Sequence, residues 1–143
     1  MIIYIGSDHK GFDLKDKLKT HLSITKSVDV GDIGTDSKES CDYPVVVEKI
    51  SKLLGGQDIG VLICNSGIGM SIAANRFKHI RAALCYNQEL AKLSRAHNNA
   101  NVLVLGAGFI EISEAISCLE VFLDTSFEGG RHLNRLELIK KLR

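Results

Sequence analysis

The sequence predicts an α/β protein built on a mostly parallel sheet, and three observations carry that expectation. Strand-length apolar runs alternate with helix-length amphipathic ones from end to end. Several of the apolar runs lack polar alternation and so have no face suited to solvent. No linker, repeat or low-complexity tract breaks the alternation, so 1–143 is expected to form a single domain.

The elements follow in chain order. Ile2 to Ile5 is the first strand-length run, and Gly11 to Leu22 the first helix. Val28 to Ile33 is a second, interrupted strand. The helix Pro44 to Leu54 begins with a proline, which suits the first turn because that N–H has no intrahelical partner to lose. Ile59 to Cys64 is a third strand, followed by a helix from Gly67 to Arg76. Arg81 to Cys85 and Asn101 to Leu105 are two more strands, with the helix Asn87 to Ala96 between them. In Ile112 to Leu123, the residues Ile112, Ala115, Ile116, Leu119, Phe122 and Leu123 recur at helical spacing. Arg131 to Arg143 is a further helix, left over to pack on a partner. Right-handed crossovers between parallel strands place helices on both sheet faces, giving an α/β/α sandwich whose site lies beyond the strand carboxyl ends.

Composition narrows the function. The 143 residues carry 18 Lys plus Arg against 17 Asp plus Glu, a formal net charge of +1. There is no bulk attraction toward nucleic acid or an anionic membrane, so neither is expected as a partner and any anion must be caught by local donors. No stretch has the length of an apolar membrane span, and MIIYIGSDH turns polar too early for a signal core, so a cytoplasmic protein is expected. Cys41, Cys64, Cys85 and Cys118 form no CxxC pair, which removes zinc knuckles and thioredoxin-type motifs and leaves free thiols in a reducing compartment.

In a parallel sheet the turns after the strands gather on one edge, and those turns hold the unusual residues. Cys64-Asn65-Ser66-Gly67-Ile68-Gly69 marks a strand-to-helix junction whose small residues can leave backbone N–H groups facing an anionic oxygen. It lacks the P-loop lysine, and Ile72 stands where a dinucleotide fingerprint needs its third glycine, so ATP and NAD lose support. At that junction the following helix favours a thiolate, which makes Cys64 a candidate base or nucleophile; the alternative is a buried structural thiol. Asp8 and His9, on a glycine-flanked loop after the first strand, suit proton transfer or phosphate capture, or else helix capping by Asp8 beside an exposed His9. His97 lies in a connection. Arg131 and Arg135 are four apart and so share a helix face, either as a phosphate clamp or as a solvated basic stripe. His21, His79 and His132 are expected at the surface, and Cys85 in a strand core.

Six ordered motifs stand together: Gly-Ser-Asp-His-x-Gly-Phe (6 to 12), Asp42-Tyr43-Pro44, Ile63-Cys64-x-Ser-Gly-Ile-Gly-Met-Ser-Ile-Ala-Ala-Asn (63 to 75), Ile80-Arg81-Ala82-Ala83, His97-Asn98-x-Ala-Asn-Val-Leu (97 to 103) and Glu128-Gly-Gly-Arg-His (128 to 132). In these the chain resembles the type B ribose-5-phosphate isomerases over nearly its whole length. The resemblance implies a Rossmann-like three-layer α/β/α sandwich with a five-stranded parallel sheet. It implies a homodimer with two active sites shared across the interface, alone or paired into a tetramer. It further implies that Cys64 shuttles a proton between C1 and C2 of a sugar phosphate, that His97 assists ring opening, and that Ser66 and Asp8 handle the hydroxyl protons. The backbone of Asn65, Ser66, Gly67, Ile68 and Gly69 would hold the enediolate, and His9, Arg131 and Arg135 the phosphate, with Tyr43 and Asn98 lining the site. No metal or cofactor is implied. Galactose-6-phosphate and other hexose-6-phosphate isomerase subunits share the scaffold, as would a non-catalytic sugar-phosphate sensor.

One branch of these enzymes carries its base as Glu at the position of Met70, so this chain falls in the cysteine branch. Three residues depart from the common pattern. Asn65 and Ser66 stand where Gly and Thr are usual, and Gly108 stands where many members have an Arg near the phosphate. An arginine restored at 108 is expected to tighten phosphate binding wherever the backbone tolerates a side chain.

Overall fold

The computed structural model describes residues 1–142. Five strands, β1 (Ile2–Ser7), β2 (Asp29–Asp32), β3 (Ile59–Cys64), β4 (Ala82–Leu84) and β5 (Val102–Gly106), form one sheet in the order β2-β1-β3-β5-β4 with every pair parallel. The helices are α1 (Phe12–Thr25), entered through a 3-10 turn at His9–Gly11, α2 (Tyr43–Leu53), α3 (Ile68–Ala74), α4 (Gln88–Ala96), α5 (Ile112–Asp124) and α6 (Arg131–Lys140). This is the expected Rossmann-like α/β sandwich.

Side-chain alternation along the strands builds two cores. On β3, Val61 and Ile63 join Ile3, Leu18, Leu103 and Phe122 on the face covered by α1 and α5. Leu62 and Cys64 point the other way, into the layer of Val46, Ile50, Met70 and Val104 under α2 and α3. Burial of both faces is why β3 and β5 are apolar at every position.

Strand order reverses between β1 and β3, so the connections leaving these two strands diverge to opposite sides and open a crevice at their carboxyl ends. Asp8 follows β1 there, and Asn65 follows β3. β1 continues past Ile5 because Gly6 and Ser7 still pair with Leu62 and Ile63. α1 runs on to Thr25, and β4 shortens to three residues, with Asn101 Oδ1 accepting from Arg81 N–H. α6 begins at Arg131 as expected and ends at Lys140; Arg143 lies outside the described residues.

One ion pair anchors the segment after β2. Lys15 is 1% exposed, and its ammonium donates to Asp32 Oδ1 at 2.8 Å and to the Thr35 carbonyl. Burial works against the Asp32 charge, but hydrogen bonds from Lys15, Lys19 and the Gly34 N–H outweigh it and hold the carboxyl at about 2. With the folded value depressed, this group stabilises the protein above the ordinary carboxylate range, near pH 4, and the contribution fades as the pH falls from there toward 2. Asp32→Ala leaves the Lys15 ammonium buried without its counter-ion and is expected to cost about 3 kcal/mol in urea unfolding. Lys15→Met, which leaves Asp32 with Lys19 and partial solvent, is expected to cost about 1 kcal/mol.

Candidate active site

The turn after β3 is fixed in detail. Three successive carbonyls are each held by a donor: Cys64 O by the Ala107 N–H at 2.8 Å, Asn65 O by the Gly108 N–H at 2.9 Å, and Ser66 O by the Tyr86 hydroxyl at 2.9 Å. Gly67 adopts φ +79°, and a Cβ there would overlap Leu84, so only glycine fits. Gly106 likewise leaves room for the Ser66 backbone to lie flat against β5. Within this clamp Cys64 is 6% exposed, and its Sγ accepts the Gly67 N–H at 3.2 Å. Ser66 Oγ accepts the Ile68 N–H at 3.2 Å. The turn therefore offers a sulfur with a donor aimed at it, inside a backbone held in place against β5 and its loops, with the Gly67 and Ile68 N–H groups resting on Cys64 Sγ and Ser66 Oγ.

Two of the other cysteines stay protonated at neutral pH. Cys85 and Cys118 are fully buried, and burial pushes their thiols up to about 11 and about 12.

Asp8 both caps and sits in the crevice. Its Oδ1 accepts from the Lys10 and Gly11 N–H groups, while its own N–H donates to the Ile63 carbonyl one residue before Cys64. His9 Nδ1 accepts the Cys41 N–H at 3.2 Å, which leaves Nε2 as the ring's donor. Tyr43, the first residue of α2, lies against Gly69, where a Cβ would collide with the phenol ring. Asp8, His9, Tyr43 and residues 64 to 69 thus surround the open ends of β1 and β3.

A second group forms at the end of α4. His97 caps that helix, Asn98 follows it exposed, and the Glu128 N–H donates to the Ala96 carbonyl, tying the start of α6 to the same corner. Arg131 and Arg135 both project from α6 into solvent. His132, expected at the surface, is instead 7% exposed and stacks on His97 with ring centroids 4.3 Å apart and planes 13° from parallel. Its register explains the burial: His132 and Leu136, four apart, form the inner face of α6, while the two arginines form the outer one. That spacing was present in the sequence. Burial lowers the His132 pKa below the usual imidazole range, with His97, Arg131 and Arg135 acting the same way and Glu128 against them. Glu128 Oε2 lies 3.7 Å from Nε2 of both rings. Near-parallel rings aim their in-plane lone pairs at different points, so this trio does not converge on one metal ion. Of the other two surface expectations, His79 is exposed, and His21 is half-buried against Glu120 at 2.7 Å.

Two of the departures from the common pattern, Asn65 and Gly108, are one spatial exchange. A Cβ at Gly108 would overlap Asn65 Oδ1, so the Asn65 side chain occupies the space that a residue at 108 would need. Gly108 has no positive φ, so the obstacle to a side chain is Asn65, first its side chain and then its main-chain carbonyl at 3.3 Å, and not the conformation of residue 108 itself. Gly108→Arg alone is therefore expected to leave the binding of a phosphorylated ligand unchanged or weaker. The double change Asn65→Gly with Gly108→Arg is expected to tighten it about tenfold by calorimetry.

Comparison with known proteins agrees with this architecture. The family model described as Ribose/Galactose Isomerase matches residues 3–139. Ribose-5-phosphate isomerase B of Escherichia coli is 41% identical over 139 residues, covering 96% of this chain and 93% of the other. A crystal structure of a ribose 5-phosphate isomerase from Thermotoga maritima superposes with TM-score 0.94 at 46% identity, covering 99% and 98% of the two chains. The enzyme from Mycoplasma genitalium, solved with bound ribulose-5-phosphate, superposes with TM-score 0.89 at 39% identity over 98% and 94%. With its sheet order, its glycine turn and its full-length match in agreement, the chain belongs to the ribose/galactose isomerase family.

Proposed function

We propose that the protein interconverts D-ribose 5-phosphate and D-ribulose 5-phosphate through an enediolate. The observation that carries this reading is the Cys64 sulfur at the end of β3, facing a backbone donor inside a turn clamped to β5. His97 assists opening of the furanose ring. The Cys64 thiolate then takes the proton from C2, the charge moves onto the oxygens at C1 and C2, and the backbone of residues 65 to 69 receives it. Return of the proton to C1 completes the aldose-to-ketose change, with Asp8 and Ser66 moving the hydroxyl protons. His9, Arg131 and Arg135 bind the phosphate, which does not react and serves as an anchor. Tyr43 and Asn98 line the pocket. None of these steps calls for a metal or cofactor.

The working unit of this proposal is a homodimer of single-domain chains acting in the cytoplasm. No hydrogen bond or ion pair among the described residues joins the Cys64 crevice to the His97 and α6 corner. Each copy also exposes Ile68, Ile72, Phe109, Leu133, Leu138 and Ile139. Two copies that cover these side chains would bring the corner of one onto the crevice of the other. Among the described residues no helix is long and apolar enough to cross a membrane.

Initial rates on ribose 5-phosphate, measured beside galactose 6-phosphate and other six-carbon aldose phosphates, test the reading. A preference of at least about tenfold for the five-carbon substrate is expected, since one misfitting carbon unit in a closed pocket is worth that much. Preference for a six-carbon sugar would reassign the protein to hexose phosphates, and binding without turnover would make it a sensor.

A further inference from the structure

We propose that Tyr86 is a positioning residue for Cys64, holding the Ser66–Gly67 peptide so that its N–H faces the sulfur. The carbonyl and N–H of a trans amide point in opposite directions along one rigid plane. The Ser66 carbonyl accepts the Tyr86 hydroxyl at 2.9 Å, and the N–H of that same peptide unit donates to Cys64 Sγ at 3.2 Å. Fixing one end therefore fixes the other.

A latch is needed at this peptide and not at its neighbours. The Cys64 and Asn65 carbonyls are already held by main-chain N–H groups of Ala107 and Gly108. The next N–H, that of Phe109, turns back to Gly106, so the backbone clamp ends one residue short of Ser66. The peptide left over is attached to Gly67, whose missing side chain makes rotation about it easy. Rotated by half a turn, it would set a carbonyl oxygen against the sulfur and repel the thiolate that the N–H attracts. Tyr86 supplies the missing donor from the loop after β4, and among the described residues no main-chain group takes its place.

This rests on the reading of Cys64 as the proton-transfer base, and the experiment separates the two. In Tyr86→Phe the ring stays and the hydroxyl goes; because Tyr86 is 38% exposed, the fold is expected to melt as the parent does. With one neutral hydrogen bond lost, kcat on ribose 5-phosphate is expected to fall about three- to tenfold while KM stays within about twofold. In the resting protein, alkylation of Cys64 by iodoacetamide at pH 7, followed by peptide mass spectrometry, is expected to slow by about the same factor. Tyr86→His, which can still donate, is expected to recover part of both. Parent-like kcat and parent-like alkylation in Tyr86→Phe would overturn the inference, because a ring needed only for packing is kept in that variant. Absence of turnover in the parent would remove the isomerase reading, and the alkylation comparison would still decide the role of Tyr86.

Discussion

Cys64→Ala and Cys64→Ser are each expected to lower kcat about a thousandfold or more, with the fold and the affinity for a phosphorylated sugar retained. Alanine cannot hold the proton in transit between C2 and C1, and a serine hydroxyl is far less acidic than a thiol. Cys85→Ala, at a thiol that burial pushes up to about 11, is expected to stay within about threefold of the parent in kcat. If a Cys64 variant kept activity within tenfold of the parent, the proton would have to move through another group. Asp8, tied to the carboxyl end of β3 by its own N–H, would then be the residue to test.

The second large effect concerns the phosphate. With a net charge of +1 the chain has no general attraction for a dianion, so binding depends on a few local donors. Arg131→Ala and Arg135→Ala are each expected to raise KM for ribose 5-phosphate about ten- to a hundredfold, the worth of one charge-assisted contact. The smaller change should fall on kcat, since the phosphate is held alike in ground and transition states. Both side chains are exposed in the monomer, so loss of folding is not expected to obscure the result. Unchanged KM in both variants, together with unchanged inhibition by inorganic phosphate, would place the anion elsewhere.

Much of this was legible in the sequence, and the gaps have physical causes. β3 could be bounded at both ends because its burial on two faces leaves no polar residue inside it. The end of β1 could not, since Gly6 and Ser7 resemble a turn and are recognised as strand only through their pairing with β3. The glycine turn after β3 was visible as a motif because its backbone conformation demands particular residues, Gly67 above all. His132 was misplaced when weighed alone; set beside Leu136, its helical register already pointed inward. Tyr86 escaped notice because it acts through a main-chain carbonyl, which leaves no pattern in side-chain identities. The link between Asn65 and Gly108 is likewise spatial, made by two turns at adjacent strand ends that lie far apart along the chain.

The site assembled from two copies around Cys64 is tested most directly by mixing two impaired proteins. Cys64→Ala and Arg131→Ala homodimers are combined, allowed to exchange subunits, and assayed on ribose 5-phosphate well below KM. If Cys64 of one copy works with Arg131 of the other, each hybrid dimer has one doubly altered site and one intact site. Turnover then returns to about one quarter of the parent rate when half of the dimers are hybrids. If instead both residues serve the same site from a single copy, every hybrid site carries one lesion; a mixture that exchanges subunits and stays at the residual rate of the two homodimers would contradict the account.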